Sequence, residues 1–271
     1  MDRETLRKVQ LTQLEIAKEI KRVCEENNIR YFLYRGTFLG AVRHQGFIPW
    51  DDDMDFAMLR EDYDQFCRIA PEKLGERFVF QTWHNSKNYA QPFGKVRKRG
   101  TLYIEAKSGA LDENGLYVDI YPLDYAPEDQ KERDALAQKL VHLFRLKLMQ
   151  GRYKPWMEED RILWVKRLGY LAYQAAALLI PRKTLIRAYE SLALGYGEGE
   201  TLYEQSALPV AYYFDRKQYE DSAMYPFEDT CFPGPKDYDG VLRSLYNDYM
   251  TLPPENKREN RHQIETLDFG E

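Results

Sequence analysis

Asp51, Asp52 and Asp53 stand in a row, with Asp55 two places further on. Carboxylates this dense repel one another, so unless all are solvated a cation must sit among them. From Asp53 to Leu59 the chain alternates, with Asp53, Asp55, Ala57 and Leu59 on one side and Met54, Phe56 and Met58 on the other. Period-two alternation predicts a strand that puts the Asp53 and Asp55 side chains on one face, about 7 Å apart. Such a pair suits one or two Mg²⁺ ions, which take a few carboxylates and complete their shell with water and phosphate oxygens. A calcium loop starting at Asp51 needs Gly sixth and Glu twelfth; Phe56 and Asp62 stand there instead, which excludes it. The plain alternative is a solvated acidic turn, disfavoured by the hydrophobic strand that carries the last two acids.

A two-metal phosphoryl-transfer centre calls for a third carboxylate. Asp119, between Val118 and Ile120 in an otherwise buried run, is the candidate. A lone buried acid is costly unless it is metal-bound or paired, here with Lys95 or Arg97. Lys95 and Arg97 lie two apart on an expected strand, so both can face a diphosphate; the alternative is an exposed basic hairpin. Upstream, Gly36-Thr37 follows the apolar run Ile29–Tyr34 and precedes Phe38–Val42. A strand–Gly–helix junction frees backbone N–H groups for a phosphate, and Thr37 adds a hydroxyl. His44 reads as a histidine packed beside Trp50.

The run Tyr34-Arg35-Gly36-Thr37-Phe38-Leu39-Gly40-Ala41-Val42-Arg43-His44-Gln45-Gly46-Phe47-Ile48-Pro49-Trp50-Asp51-Asp52-Asp53-Met54-Asp55 resembles the signature of the LicD family, which includes bacterial phosphocholine transferases and has the fukutin-type proteins as distant relatives. The likeness continues through Phe93–Arg97, Val118–Asp124 and a closing segment with Asp248-Tyr249-Met250 and Pro253-Pro254. Arg35 departs from it, standing where a small residue is common, as does Phe38 in place of Leu. The resemblance implies a nucleotidyltransferase-like fold. In that fold Gly36-Thr37 is the turn, Asp53 and Asp55 the acid pair and Asp119 the third acid. These three would be the catalytic and metal-ligating residues, and Gly36, Thr37, Lys95 and Arg97 the substrate-binding ones. It further implies CDP-choline, or a related CDP-alcohol, as donor and a glycan or lipid-linked teichoic-acid precursor as acceptor, with CMP released. A nucleotidyltransferase using an NTP, a transferase of ribitol-, glycerol- or ethanolamine-phosphate, and a catalytically silent binding protein are the competing readings. Choline would be held by aromatic faces; Trp50, Trp83, Tyr89 and Tyr103 lie near the motifs.

The elements that must position these residues follow from periodicity. An α/β (α+β) architecture is expected: a mixed β-sheet core with flanking helices over 1–127, a helical basic insertion over 128–200, and a C-terminal segment, 201–271, packing back on the core. Helices are expected near 4–26, 63–70, 130–150, 159–179, 183–194 and 238–247, strands at 29–34, 53–59, 78–82, 93–98, 102–105 and 116–121, a hairpin turn at Arg99-Gly100 and a polar tail from Pro253.

In 271 residues, 44% hydrophobic and 31% charged, composition is that of a globular protein. The start Met1-Asp2-Arg3-Glu4 lacks a signal's charge pattern and apolar core. The longest uncharged apolar run, Leu168 to Ile180, is 13 residues, short of the roughly 18–20 that span a bilayer. Three scattered cysteines without C-x-x-C spacing fit a reduced cytoplasmic setting. Residues 139–190 carry 11 Lys/Arg against 4 Asp/Glu. With Trp156, Trp164 and Tyr170 nearby, this stretch reads as a solvated helical face or as a contact to an anionic membrane at its inner side or to a polyanionic glycan. No binding motif supports nucleic acid.

Overall fold

The computed structural model describes residues 1–106, 112–151, 153, 164–204, 212–260 and 262–270. Trp156 and the expected helical start at 159–163 lie outside them. The first helix, α1 (Arg3–Glu26), is capped by Asp2, whose carboxylate accepts from the Thr5 N–H. It buries Leu6, Val9, Ile16, Ile20 and Val23, the spacing of one helical face. The core strand β1 is only Phe32–Leu33, because α2 (Arg35–His44) begins immediately after Tyr34. Gly36 and Thr37 therefore lie inside the first helical turn, where the sequence predicts a break before the helix.

Strand β2 (Asp55–Leu59) leads into α3 (Arg60–Lys73), then β3 (Phe78–Gln81), β4 (Gly94–Lys98), β5 (Leu102–Glu105) and β6 (Tyr117–Tyr125). The main sheet runs β1-β2-β6-β4-β3. β2 is parallel to β6, with Asp55 opposite Asp119, and β4 is antiparallel to β6, with Lys95 opposite Asp119. Register alone thus sets Asp55, Asp119 and Lys95 side by side across three strands.

Helices α4 (Gln130–Gln150), α5 (Trp164–Leu178) and α6 (Arg182–Ala193) follow, with α4 packing on both others. The chain then returns to the sheet. β7 (Thr201–Glu204) pairs with the end of β6, and β8 (Tyr213–Asp215) pairs with β7. The hairpin β9 (Ser222–Phe227) and β10 (Thr230–Pro235) and the helix α7 (Tyr238–Tyr246) pack against α2.

Two expectations are corrected. Arg99-Gly100 does not join paired strands: β5 pairs with β11 (Ile264–Asp268), a strand in the tail read as merely polar. Asp53 also precedes the strand expected to carry it. The ladder starts at Asp55, and ahead of it the Asp51 and Asp52 carbonyls are turned toward α1, where Gln10 and Gln13 donate to them at 2.9 Å each. The fold is mixed α/β, as expected. Among the described residues no helix is long and apolar enough to cross a membrane, and Cys24, Cys67 and Cys231 are all free thiols.

Candidate active site

The acids converge. Asp51, Asp52 and Asp53 each offer a carboxylate oxygen within 4.8 Å of the others. Asp55 adjoins them in sequence and Asp119 in the sheet. Burial, together with the fields of Asp53 and Asp119 and against the field of Arg35, holds Asp55 well above the usual carboxylate range. Asp55 Oδ1 is buried with no hydrogen-bond partner. A buried orphan oxygen among like charges is the arrangement a hard cation would relieve. The donor set, all carboxylate oxygen, fits Mg²⁺.

Asp119 carries a counter-charge of the chain's own. Its Oδ1 lies 2.8 Å from Lys95 Nζ, and the Tyr121 hydroxyl donates to Oδ2 at 3.4 Å. Burial still raises its pKa; Lys95 opposes that rise, and Asp53 and Glu105 add to it. The Lys95 ammonium also sits 3.2 Å from the centre of the Tyr117 ring. Arg97, on the same face, is tied down, donating to Gln81 Oε1 at 2.7 Å and to the Gly115 carbonyl at 2.6 Å. Both basic residues are buried, so they are not an exposed hairpin.

Gly36 and Thr37 shape the site from below. A Cβ at Gly36 would fall 2.6 Å from Asp51 Oδ2, so glycine is what lets that carboxylate lie on the first turn of α2. Thr37 Oγ1 accepts the Asp55 N–H at 2.8 Å, stitching α2 to β2. Arg35 takes the left-handed backbone, φ 46°. Its guanidinium forks onto the fully buried Glu204 of β7, which also accepts the Tyr34 hydroxyl at 2.6 Å. The same guanidinium lies 4.7 Å from the Tyr121 ring centre.

Three contributors have no local sequence signal: Glu204, Glu105 and His262. Both Asp52 carboxylate oxygens face His262, whose N–H donates to Oδ2 at 3.2 Å and whose Nδ1 lies 3.0 Å from Oδ1. Burial opposes the imidazolium, but the Asp52 hydrogen bond and the fields of Asp53 and Glu105 outweigh it and push His262 up to about 9. Glu105 accepts the Tyr117 hydroxyl at 2.7 Å. Although burial works against it, Lys95 and His262 hold its carboxyl below the usual range. Asp52 thus keeps the shape of the acidic turn, its carboxylate held by His262.

Of the aromatics near the motifs, Tyr103 reaches this site, its hydroxyl 3.5 Å from the Asp52 carbonyl. Tyr89 is buried against the Phe93 carbonyl and Trp83 packs on Tyr189. Trp50 lies against His44, as expected, and under Arg258.

Residues 28–147 match the sequence family described as LicD/FKTN/FKRP, nucleotidyltransferase domain. The segment is a LicD-family domain. It contains every acid singled out above except Glu204. Over 97% of its length the chain is 28% identical to the lipopolysaccharide cholinephosphotransferase LicD of Haemophilus influenzae, of which it covers 97%. An uncharacterized protein of Rickettsia typhi is 44% identical over 69 residues, 22% of that protein. The human ribitol 5-phosphate transferase FKRP is 28% identical over 114 residues, 19% of that protein.

Proposed function

We propose that this chain is a metal-dependent transferase that moves phosphocholine from CDP-choline to a hydroxyl of a cell-surface glycan or teichoic-acid precursor, on the cytoplasmic side, releasing CMP. The coarser part, transfer of an alcohol phosphate, is common to the named activities of the LicD and FKRP relatives. The observation that carries the metal reading is the orphaned, buried Asp55 Oδ1 between Asp53 and Asp119.

In this reaction the acceptor oxygen bonds to the phosphorus bearing the alcohol, and the diphosphate P–O bond breaks with its electron pair leaving on CMP. The acceptor proton passes to a carboxylate. Asp119 suits that role, since its burial makes it a better base than a solvated aspartate. One or two Mg²⁺ ions on Asp53, Asp55 and Asp119 would screen the diphosphate and the leaving oxygen. Lys95 holds Asp119 in place and supplies positive charge at the same strand position.

One observation favours a polyol phosphate as second reading. The aromatic faces beside the acids already carry cations of the chain, Lys95 over Tyr117 and Arg35 over Tyr121. Choline would compete for those faces, whereas ribitol or glycerol needs none. Incubating CDP-choline, CDP-ethanolamine, CDP-glycerol, CDP-ribitol, CTP and ATP with Mg²⁺, wild type beside Asp53→Ala, decides. CMP release from one CDP-alcohol, lost in the variant, is the expected result and names the donor. Pyrophosphate release would make the protein a nucleotidyltransferase, and metal-independent binding without turnover would make it a binding protein.

A further inference from the structure

Helix α5 packs on α4 with one side and carries an apolar stripe on the other. Its inner side packs on α4, where Gln150 donates to the Ala177 carbonyl and Gln174 to the Met149 carbonyl. Its outer side carries Trp164, Leu168, Leu171, Ala175 and Leu178. At 100° per residue these fall within an arc of about 80°, one continuous stripe along the helix. The four large residues, and Leu179 just beyond, are each more than half exposed. Among the described residues nothing covers this second face, and an apolar stripe of this length is the kind of surface that a partner covers.

The surrounding charge says what fits there. Between Asp160 and Glu190 the sequence contains no acidic residue. Arg167, which flanks the stripe on α5, and Lys183 and Arg187 on α6 are exposed. Large aliphatic side chains, a tryptophan at one end and basic neighbours without acids from 161 to 189 are the composition of an in-plane helix on an anionic bilayer. A polyanionic glycan would need the lysines and arginines but not the leucines. At 15 residues, α5 is too short to span the hydrocarbon core.

We propose that the outer face of α5 is a membrane-docking surface that lies in the headgroup region of an anionic lipid bilayer, its leucines inserted and the Arg167, Lys183 and Arg187 side chains over the lipid phosphates. Docking of this kind holds the protein at the surface on which a lipid-linked acceptor would reside. It is independent of the transferase reading, because it is measured without donor, acceptor or metal.

The test is flotation of the full chain with phosphatidylcholine vesicles, with and without phosphatidylglycerol. Wild type is expected to float with the anionic vesicles alone, less so as salt rises. Leu168→Glu/Leu171→Glu should weaken this by at least about tenfold, and Lys183→Glu/Arg187→Glu should remove the preference for phosphatidylglycerol. Trp164 fluorescence, isolated by comparison with Trp164→Phe, should shift to the blue on binding. Both charged variants alter exposed positions, and circular dichroism verifies that they fold. No flotation of wild type, or equal flotation of the variants, would overturn the proposal. So would a dimer in sedimentation equilibrium that Leu168→Glu/Leu171→Glu dissolves, since the face would then belong to a second copy.

Discussion

At the scale of single residues, the site stores unfavourable charge for later use. Asp55 is buried beside Asp53 and Asp119 with an oxygen left unsatisfied. Replacing it by Asn removes a like charge while keeping the shape. In metal-free buffer Asp55→Asn should therefore melt higher than wild type, by about 2–4 °C for each kcal/mol of repulsion relieved. The same variant should lose Mn²⁺ binding in titration calorimetry and all donor turnover. A lower melting point would mean that Asp55 is already satisfied by a protein group. His262 behaves in the opposite sense. Its folded pKa is raised, so its contribution to stability is complete below its unfolded value of about 6.5 and fades as pH rises through about 9. Metal-free wild type should lose its melting-temperature advantage over His262→Ala between those two pH values. His262→Asn, which can still donate to Asp52, should retain part of the advantage with no such pH dependence. A difference that stays constant from pH 6 to 10 would remove the imidazolium from the account.

At the scale of elements, the sheet aligns the acids and more distant segments fix their surroundings. The alternation around Asp53–Leu59 and the apolar flanks of Asp119 make the two acid strands legible, and register then brings them together. The α2 start is misread as a turn because Gly36 suggests a break, whereas the structure uses that glycine to admit the Asp51 carboxylate. The hairpin β9–β10 escapes the sequence reading because Pro226, Pro233 and Pro235 lie within its strands, and proline, which cannot donate to a ladder, argues against a strand. β7 is invisible for another reason: Glu204 means nothing until Arg35, 169 positions earlier, arrives beside it. That pair is the hinge pin of α2. Glu204→Ala would leave a largely buried guanidinium without its partner, a change that typically costs about 3–5 kcal/mol. Urea unfolding should show the loss. Because α2 carries Thr37 against Asp55, donor turnover should fall in the surviving folded fraction as well. Loss of stability with full turnover in that fraction would confine Glu204 to the scaffold.

At the scale of the whole molecule, the acidic turn is held by segments from both ends of the chain. Gln10 and Gln13 of α1 hold the Asp51 and Asp52 carbonyls, and His262, just ahead of β11, holds the Asp52 carboxylate. β11 in turn covers β5, which carries Glu105. A chain ending at Pro254 would lack His262 and β11 together. The main sheet would keep its strand pairing and the chain all seven described helices, since β11 pairs with β5 alone, at the loss of the Ile264, Leu267 and Phe269 contacts with the core. The expected outcome is a protein with near-native far-ultraviolet circular dichroism and no metal-dependent CMP release. Its Asp52 would be buried without a partner cation, and its β5 edge would be open, so it should also self-associate more readily than wild type. Comparison with full-length His262→Ala separates the two losses: turnover failing equally in both assigns the effect to the imidazole, whereas failure in the truncated chain alone assigns it to the strand. Full turnover in the truncated chain would show that α1 suffices to hold the acids in place.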